Sequence, residues 1–246
     1  QTVFKGKKAD DWDKRSKEMA PRMQRSDYVD EFISRMEISG DEVVLDIGCG
    51  PGTLAIPLAQ KVKHVIAIDF SRSMLDELEA YAAREGITNI TTHHIGWEDD
   101  WSTLGHIDIA VASRSMEVED MNQALLKMST FAKKACYLTY KVGGSYVDME
   151  IVEHIGKKII TKPDYWYIPL ILYSSGHLAK VDYIATPGSI KSQSEEEFVA
   201  SLGWSLHGLT TEEDTKAREY YQTKVVTQNA HPKPFNWAFI SWSTEL

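Results

Sequence analysis

Residues 43–53 read Val-Val-Leu-Asp-Ile-Gly-Cys-Gly-Pro-Gly-Thr, and no other stretch restricts the possible fold so tightly. A short, nearly continuous apolar run ending in glycines is expected of a strand buried on both faces of a parallel sheet. Glycines directly after such a strand let the backbone turn sharply and come close to a ligand on its way into a helix. A dinucleotide-binding fingerprint spaces its glycines as G-x-G-x-x-G. Here Gly48, Gly50 and Gly52 stand at offsets 0, 2 and 4, and Thr53 occupies offset 5. Asp46, two residues ahead of the loop, would repel a pyrophosphate but would accept hydrogen bonds from an amine or lie well beside a cation. The loop therefore points to an adenosyl ligand with a cationic end and argues against a nicotinamide dinucleotide.

The rest of the first half fits a strand-helix alternation. Residues 10–38 carry Trp12, Met19, Met23, Tyr28, Phe32, Ile33 and Met36 at helical spacing, interrupted at Pro21, and predict one or two amphipathic helices. Strands are predicted at Val43–Ile47, Val65–Ile68, Ile90–Ile95, Ile107–Ala112 and Ala135–Val142. Helices are predicted at Thr53–Val62, Ser73–Arg84 (capped by Ser71 or Ser73) and Met121–Ala132. That order calls for an α/β fold, a doubly wound and mostly parallel sheet with helices on both faces and right-handed crossovers. The second half is less regular. An aromatic segment at Tyr165–Leu178 precedes a strand at Val181–Thr186, helices at Glu195–Leu202 and Glu212–Val226, and a last strand at Trp237–Trp242. Trp166, Leu170 and Tyr173 would share one helical face, either packed on the sheet or capping a pocket. The whole chain, 1–246, reads as a single domain: a helical cap over 1–40, a ligand-binding core over 41–142, and an acceptor-side half over 143–246.

Further candidate site residues follow the strand ends. Asp69 closes the second strand 21 residues after Gly48, a separation at which a carboxylate can accept hydrogen bonds from ribose hydroxyls. Phe70, Ser71 and Met74 come next, and Gly96-Trp97-Glu98 follows the third strand. Ser113 and Arg114 follow the fourth. Taken together, L-D-x-G-C-G-x-G, the acidic end of strand two and S-x-S-M-L resemble the class I, Rossmann-like S-adenosylmethionine-dependent methyltransferases over residues 40–142. The resemblance implies a seven-stranded sheet of order 3-2-1-4-5-7-6 with the last strand antiparallel. It implies S-adenosyl-L-methionine as cofactor, with S-adenosyl-L-homocysteine as product. On the same resemblance Asp46, Gly48, Gly50 and Gly52 line the methionine end and Asp69 holds the ribose, with Cys49, Ser71 and Gly96 as further cofactor-binding candidates. Phe70 and Met74 then flank the adenine, Trp97 and Glu98 meet its edge, and Ser113 and Arg114 border the methionine portion and the acceptor. The Asn-Pro-Pro-Tyr tetrapeptide of the amino-methylating nucleic-acid and protein-glutamine enzymes is missing at Ser113–Met116.

Composition narrows the rest. The net charge is −9, and residues 36–120 carry 16 acidic against 5 basic side chains. An acidic chain without a basic stripe is a poor partner for a phosphate backbone, so the expectation is no nucleic acid. No apolar run reaches a bilayer-spanning length, so no membrane partner is expected. Two cysteines, Cys49 and Cys136, form neither a disulfide framework nor a zinc site, and no metal is inferred. Reduced thiols and the lack of an apolar leader suit a cytoplasmic protein. The acceptor expected is a small molecule, enclosed by the aromatic segment and the N-terminal helices. A protein methyltransferase and a catalytically silent cofactor-binding scaffold are the alternatives. No residue announces itself as a catalytic base, and the oligomeric state stays open.

Overall fold

A computed structural model of the chain describes residues 8–19, 26–145, 147–159, 163–186, 194–227 and 235–245. Pro21 and Met23 lie outside them. Seven strands, β1 (Val43–Ile47), β2 (His64–Ile68), β3 (Ile90–His93), β4 (Ile107–Ser113), β5 (Ala132–Lys141), β6 (Lys180–Thr186) and β7 (Phe235–Ser243), form one mixed sheet. Its order is β3-β2-β1-β4-β5-β7-β6, as the resemblance implied. The pairs β1–β2, β1–β4, β2–β3 and β4–β5 are all parallel. Val44, Leu45, Val65, Ile68, Val111 and Ala112 are shielded from solvent, which explains why these strands read as unbroken apolar runs.

Register places the site. Val43 pairs with His64 and Ile47 with Ile68, so β1 and β2 end level with one another. The chain leaving β1 then spends its first two amides, Gly48 and Cys49, on the Ile68 carbonyl, at 2.8 and 3.1 Å. The glycine loop and Asp69 are thereby side by side before any side chain is considered.

Contacts within the chain resolve two compact units. The larger comprises Lys5–Tyr140, Trp166–Ile184 and Ala238–Leu246. Its helices are α1 (Ala9–Met19), α2 (Asp27–Ser34), α3 (Ala55–Ala59), α4 (Arg72–Arg84) and α5 (Met121–Phe131). Pro57 falls in the first turn of α3, where its missing donor costs nothing. Phe32 of α2 is wholly buried and meets Phe239 edge-on at 5.1 Å, fixing α2 to the last strand.

One expectation needs correction in this unit. The aromatic segment is helical only over α7 (Tyr167–Ser174). Trp166, Leu170 and Tyr173 do share a face, but it is the outer one, each at least 60% exposed. Ile168 and Leu172, spaced i and i+4, take the inner face instead. The turn at Trp97–Trp101 is anchored by its second tryptophan. Trp101 is 0% exposed, its ring lies between Trp97 and Phe131 at 5.5 and 5.6 Å, and the Lys127 ammonium sits 4.2 Å from its centroid.

The described parts of Lys141–Tyr165 and Ala185–Trp237 make the smaller unit. It contains α6 (Met149–Ile155), which the sequence reading missed, together with α8 (Glu195–Ser205) and α9 (Thr211–Tyr220). They pack Val152, Ile155, Phe198, Val199, Leu202, Ala217 and Tyr220 into a core of their own. The single helix expected over 212–226 widens to a π turn at Tyr221–Val226. The wider turn accommodates two adjacent tyrosines, Tyr220 and Tyr221, that are both buried. Thr210 closes a capping box with Glu213 at the start of α9. Thr210→Ala is therefore expected to lower unfolding stability by about 1 kcal/mol, readable as a shift in the denaturant midpoint. An unchanged midpoint would show that the box contributes nothing.

Candidate active site

At the end of β1 the backbone turns through Gly48 (φ +66°), Gly50 (φ +53°) and Gly52 (φ +91°), all left-handed. Gly48 is also needed for space: a Cβ there would lie 2.5 Å from the Ser115 Cβ. Ser115 donates its hydroxyl to the Ile47 carbonyl at 2.6 Å, which draws the chain beyond β4 against the loop. Cys49 packs, 4% exposed, with burial and the nearby Asp46 and Asp69 raising its thiol pKa well above the ordinary value.

Asp46 is 2% exposed, and its Oδ2 has no hydrogen-bond partner among the described residues. The same holds for Thr53 Oγ1 across the loop. Burial first and the Asp69 charge second raise the Asp46 carboxyl to about 7, against a smaller downward pull from the Ala55 amide. Unsatisfied buried polar atoms are rare, and two of the three among the described residues flank the glycine loop. The arrangement is a cradle with polar groups held ready for a ligand.

Asp69 is 5% exposed and ties the loop down: Oδ2 accepts from Gly50 N at 2.9 Å and Oδ1 from Ser71 N at 2.8 Å. Burial raises its pKa, and those two amides offset part of the rise. Ser71 is the N-cap of α4, accepting from Met74 N at 3.2 Å, and donates its hydroxyl to the Asp13 carboxylate of α1. That bond brings α1 against the start of α4, beside Asp69. Phe70 is 41% exposed, whereas Met74 is 3% exposed and buried within α4.

After β3, Gly96 N donates to Asp99 Oδ2 at 2.7 Å and Gly96 O accepts from Trp101 Nε1 at 2.9 Å. Trp97 Nε1 donates to Ser115 O at 3.1 Å, linking this turn to the chain after β4. Trp97 and Glu98 line a cavity of about 800 Å³ with Val118, Met121 and Lys127. Lys127 Nζ donates to the carbonyls of Trp97 and Asp99 and so fixes the cavity wall.

At the end of β4, Arg114 holds φ +59°, a conformation uncommon outside glycine. Its amide donates to Thr139 Oγ1 of β5 at 3.1 Å, and its guanidinium carbon lies 4.6 Å from the centroid of the Tyr28 ring. The Tyr28 hydroxyl is hydrogen-bonded to Ser113 Oγ at 2.7 Å and to Thr139 Oγ1 at 2.6 Å. Burial raises the Tyr28 pKa, opposed by the Arg114 charge. Asp13, Tyr28, Thr53 and Thr139 were not among the sequence candidates. Only Thr53, at offset 5 of the glycine run, carried a local signal; the others arrive from α1, α2 and β5, and no spacing announces them.

The sequence matches the family described as a methyltransferase domain over residues 44–135. It is 35% identical over 242 residues to an uncharacterised protein of Haemophilus influenzae, covering 95% of this chain and 89% of that one. An uncharacterised RNA methyltransferase of Listeria innocua is 29% identical over 133 residues, 51% of this chain but 29% of the relative. Among solved structures, the YcgJ protein of Bacillus subtilis superposes with a TM-score of 0.65 at 15% identity, covering 89% of this chain and 98% of that one. The chain belongs to the class I S-adenosylmethionine-dependent methyltransferases and is an enzyme of that class. Its cofactor is S-adenosyl-L-methionine.

The expectation of no nucleic-acid partner does not stand, because relatives matching the core are named RNA methyltransferases. Net charge was the wrong measure. It averages over the whole chain, whereas an acceptor is held by a local surface. Among the described residues no helix is long and apolar enough to cross a membrane.

Proposed function

We propose that this methyltransferase acts on a small-molecule acceptor bound at the β4–β5 end of the sheet, with the cofactor held across β1, β2 and β3. Supporting this placement, α2 covers the β4–β5 end: its Tyr28 is buried against Ser113, Arg114 and Thr139, so the acceptor position is roofed by a helix. Ionised Asp46, with Gly48, Cys49, Gly50, Gly52 and Thr53, would hold the methionine end. Asp69 would hold the ribose through the lone pairs that Gly50 and Ser71 leave free, with Ser71 keeping the α4 end in place. Phe70 would cover the adenine with Met74 packed beneath. Gly96, Trp97 and Glu98 would meet its edge, and Ser113 and Arg114 would border the methyl group.

The cofactor supplies a methyl already activated on a sulfonium; the acceptor's lone pair forms the new bond as the methyl–sulfur bond breaks, the thioether leaves, and any acceptor proton passes to solvent or a nearby base. What the protein's residues contribute is alignment and exclusion of water, which can supply much of the acceleration. The buried free thiols Cys49 and Cys136 support a reducing, cytoplasmic setting.

A second reading, an RNA acceptor, is favoured by the names of the relatives that match the core. Incubation with methyl-labelled cofactor and a cell extract split into small-molecule and RNA fractions separates the two. Label in the small-molecule fraction is the expected result; label confined to RNA would replace the reading. No label anywhere, with cofactor bound, would favour a silent scaffold.

A further inference from the structure

We propose that the Arg114 guanidinium, held over the Tyr28 ring, is an oxyanion subsite that takes a carboxylate or phosphate of the methyl acceptor. The inference rests on the functional reading above and deepens it by giving the acceptor a charge.

The first observation is a contrast among arginines. Arg35, Arg72, Arg84 and Arg218 each lie within ion-pair distance of a carboxylate. Arg114 has no such partner among the described residues, although its segment, residues 36–120, holds 16 acidic side chains. Guanidinium stays charged in a protein, and a partly buried one without a counter-charge is costly unless something else pairs with it.

The second observation is preorganisation. The residue sits in a left-handed conformation, with its amide fixed on Thr139 and its side chain laid on a ring that is 3% exposed. The Tyr28 hydroxyl, held by Ser113 and Thr139, keeps that ring from turning. A guanidinium whose flat face is occupied by an aromatic ring still offers its N–H edge, and that edge matches a carboxylate or phosphate. Strained backbone of this kind collects at ligand sites.

Position then separates this group from the adenosine end of the cofactor. Asp69 and Trp97 lie at the ends of β2 and β3, on one side of β1. Arg114 stands at the end of β4 and is tied to β5, on the opposite side. The anion it receives is therefore across the methyl donor from the adenosine.

The test uses the full-length protein loaded with S-adenosylhomocysteine, with inorganic phosphate as the probe at constant ionic strength, followed by phosphorus NMR line broadening. Phosphate is expected to bind wild type and to weaken at least about tenfold in Arg114→Gln, with Arg114→Lys intermediate. Adenosylhomocysteine affinity should stay within about twofold in both variants, which also shows that they are folded. If Arg114→Gln weakens adenosylhomocysteine while sparing methylthioadenosine, the guanidinium serves the cofactor's own carboxylate and the proposal fails. It fails equally if phosphate binding ignores the substitution.

The extract assay identifies the source of the anion. Labelled small-molecule product should be retained on an anion exchanger and lost with Arg114→Gln. Label that instead enters RNA and depends on Arg114 would assign the oxyanion to a phosphodiester. A wild type that binds no adenosylhomocysteine would sink the functional reading alone, because phosphate binding to the cofactor-free protein still reads the subsite.

Discussion

Cofactor affinity is expected to rise close to tenfold per pH unit below about 7 and to level off above it, because the site must ionise Asp46 to receive the cofactor's cationic end. In the free protein that carboxyl is buried, with its Oδ2 unpartnered and its pKa raised to about 7. At pH 5 only about 1% of the molecules would carry the charge, so affinity should be roughly a hundredfold below its plateau. Calorimetry in buffers of different ionisation enthalpy should show about one proton released per cofactor bound near pH 6.

The same group sets the stability of the free protein with the opposite sign from an ordinary surface carboxylate. Its folded pKa lies above the unfolded value, so the folded state binds the proton more tightly. Stability contributed by the protonated form is then lost as pH rises from about 4 to about 7, at roughly 1.4 kcal/mol per pH unit and about 4 kcal/mol in all. Asp46→Asn keeps the shape and removes the titration. It should flatten both profiles, and a variant that retains the wild-type pH dependence of binding would exclude Asp46 as the titrating group.

Asp69→Ala should lower cofactor affinity by about ten- to a hundredfold, the loss expected for a hydrogen bond to a charged acceptor. The structure adds a second consequence, absent from a reading in which Asp69 only meets the ribose. Its two oxygens hold the part-buried amide of Gly50 and the buried amide of Ser71, and truncation takes that partner from both. At about 1–3 kcal/mol for each stranded amide, the variant should also unfold at clearly lower denaturant. Asp69→Asn keeps one acceptor and should fall between the two. Because the Asp69 charge helps to raise the Asp46 carboxyl, either substitution should move the midpoint of the affinity–pH profile downward. Wild-type affinity in a folded Asp69→Ala protein would remove Asp69 from the site.

Much of the first half was legible because its signals are local. Val43–Ile47 is apolar without a break because a central parallel strand is buried on both faces, and the glycines after it are required by a left-handed backbone and by the close approach of Ser115. Strands two and four were equally clear for the same reason. The second half was less so. Residues 149–155 are too short a helix to show a period, and the expected core face of the aromatic segment turned out to be its exposed one. Periodicity shows which residues share a face; only packing shows which way it points.

What the sequence determined by itself was therefore the sheet's central strands, the glycine loop and the acidic residues at the strand ends, each fixed by a run of neighbours or by backbone conformations open chiefly to glycine. Tertiary structure alone decided the rest of the site: Tyr28 from α2 under Arg114, Thr139 from β5 on its amide, and Asp13 from α1 on Ser71. These partners lie 25 to 111 positions apart along the chain. Side-chain groups so distant leave no spacing to read, because their meeting depends on strand order and register, and not on any local preference.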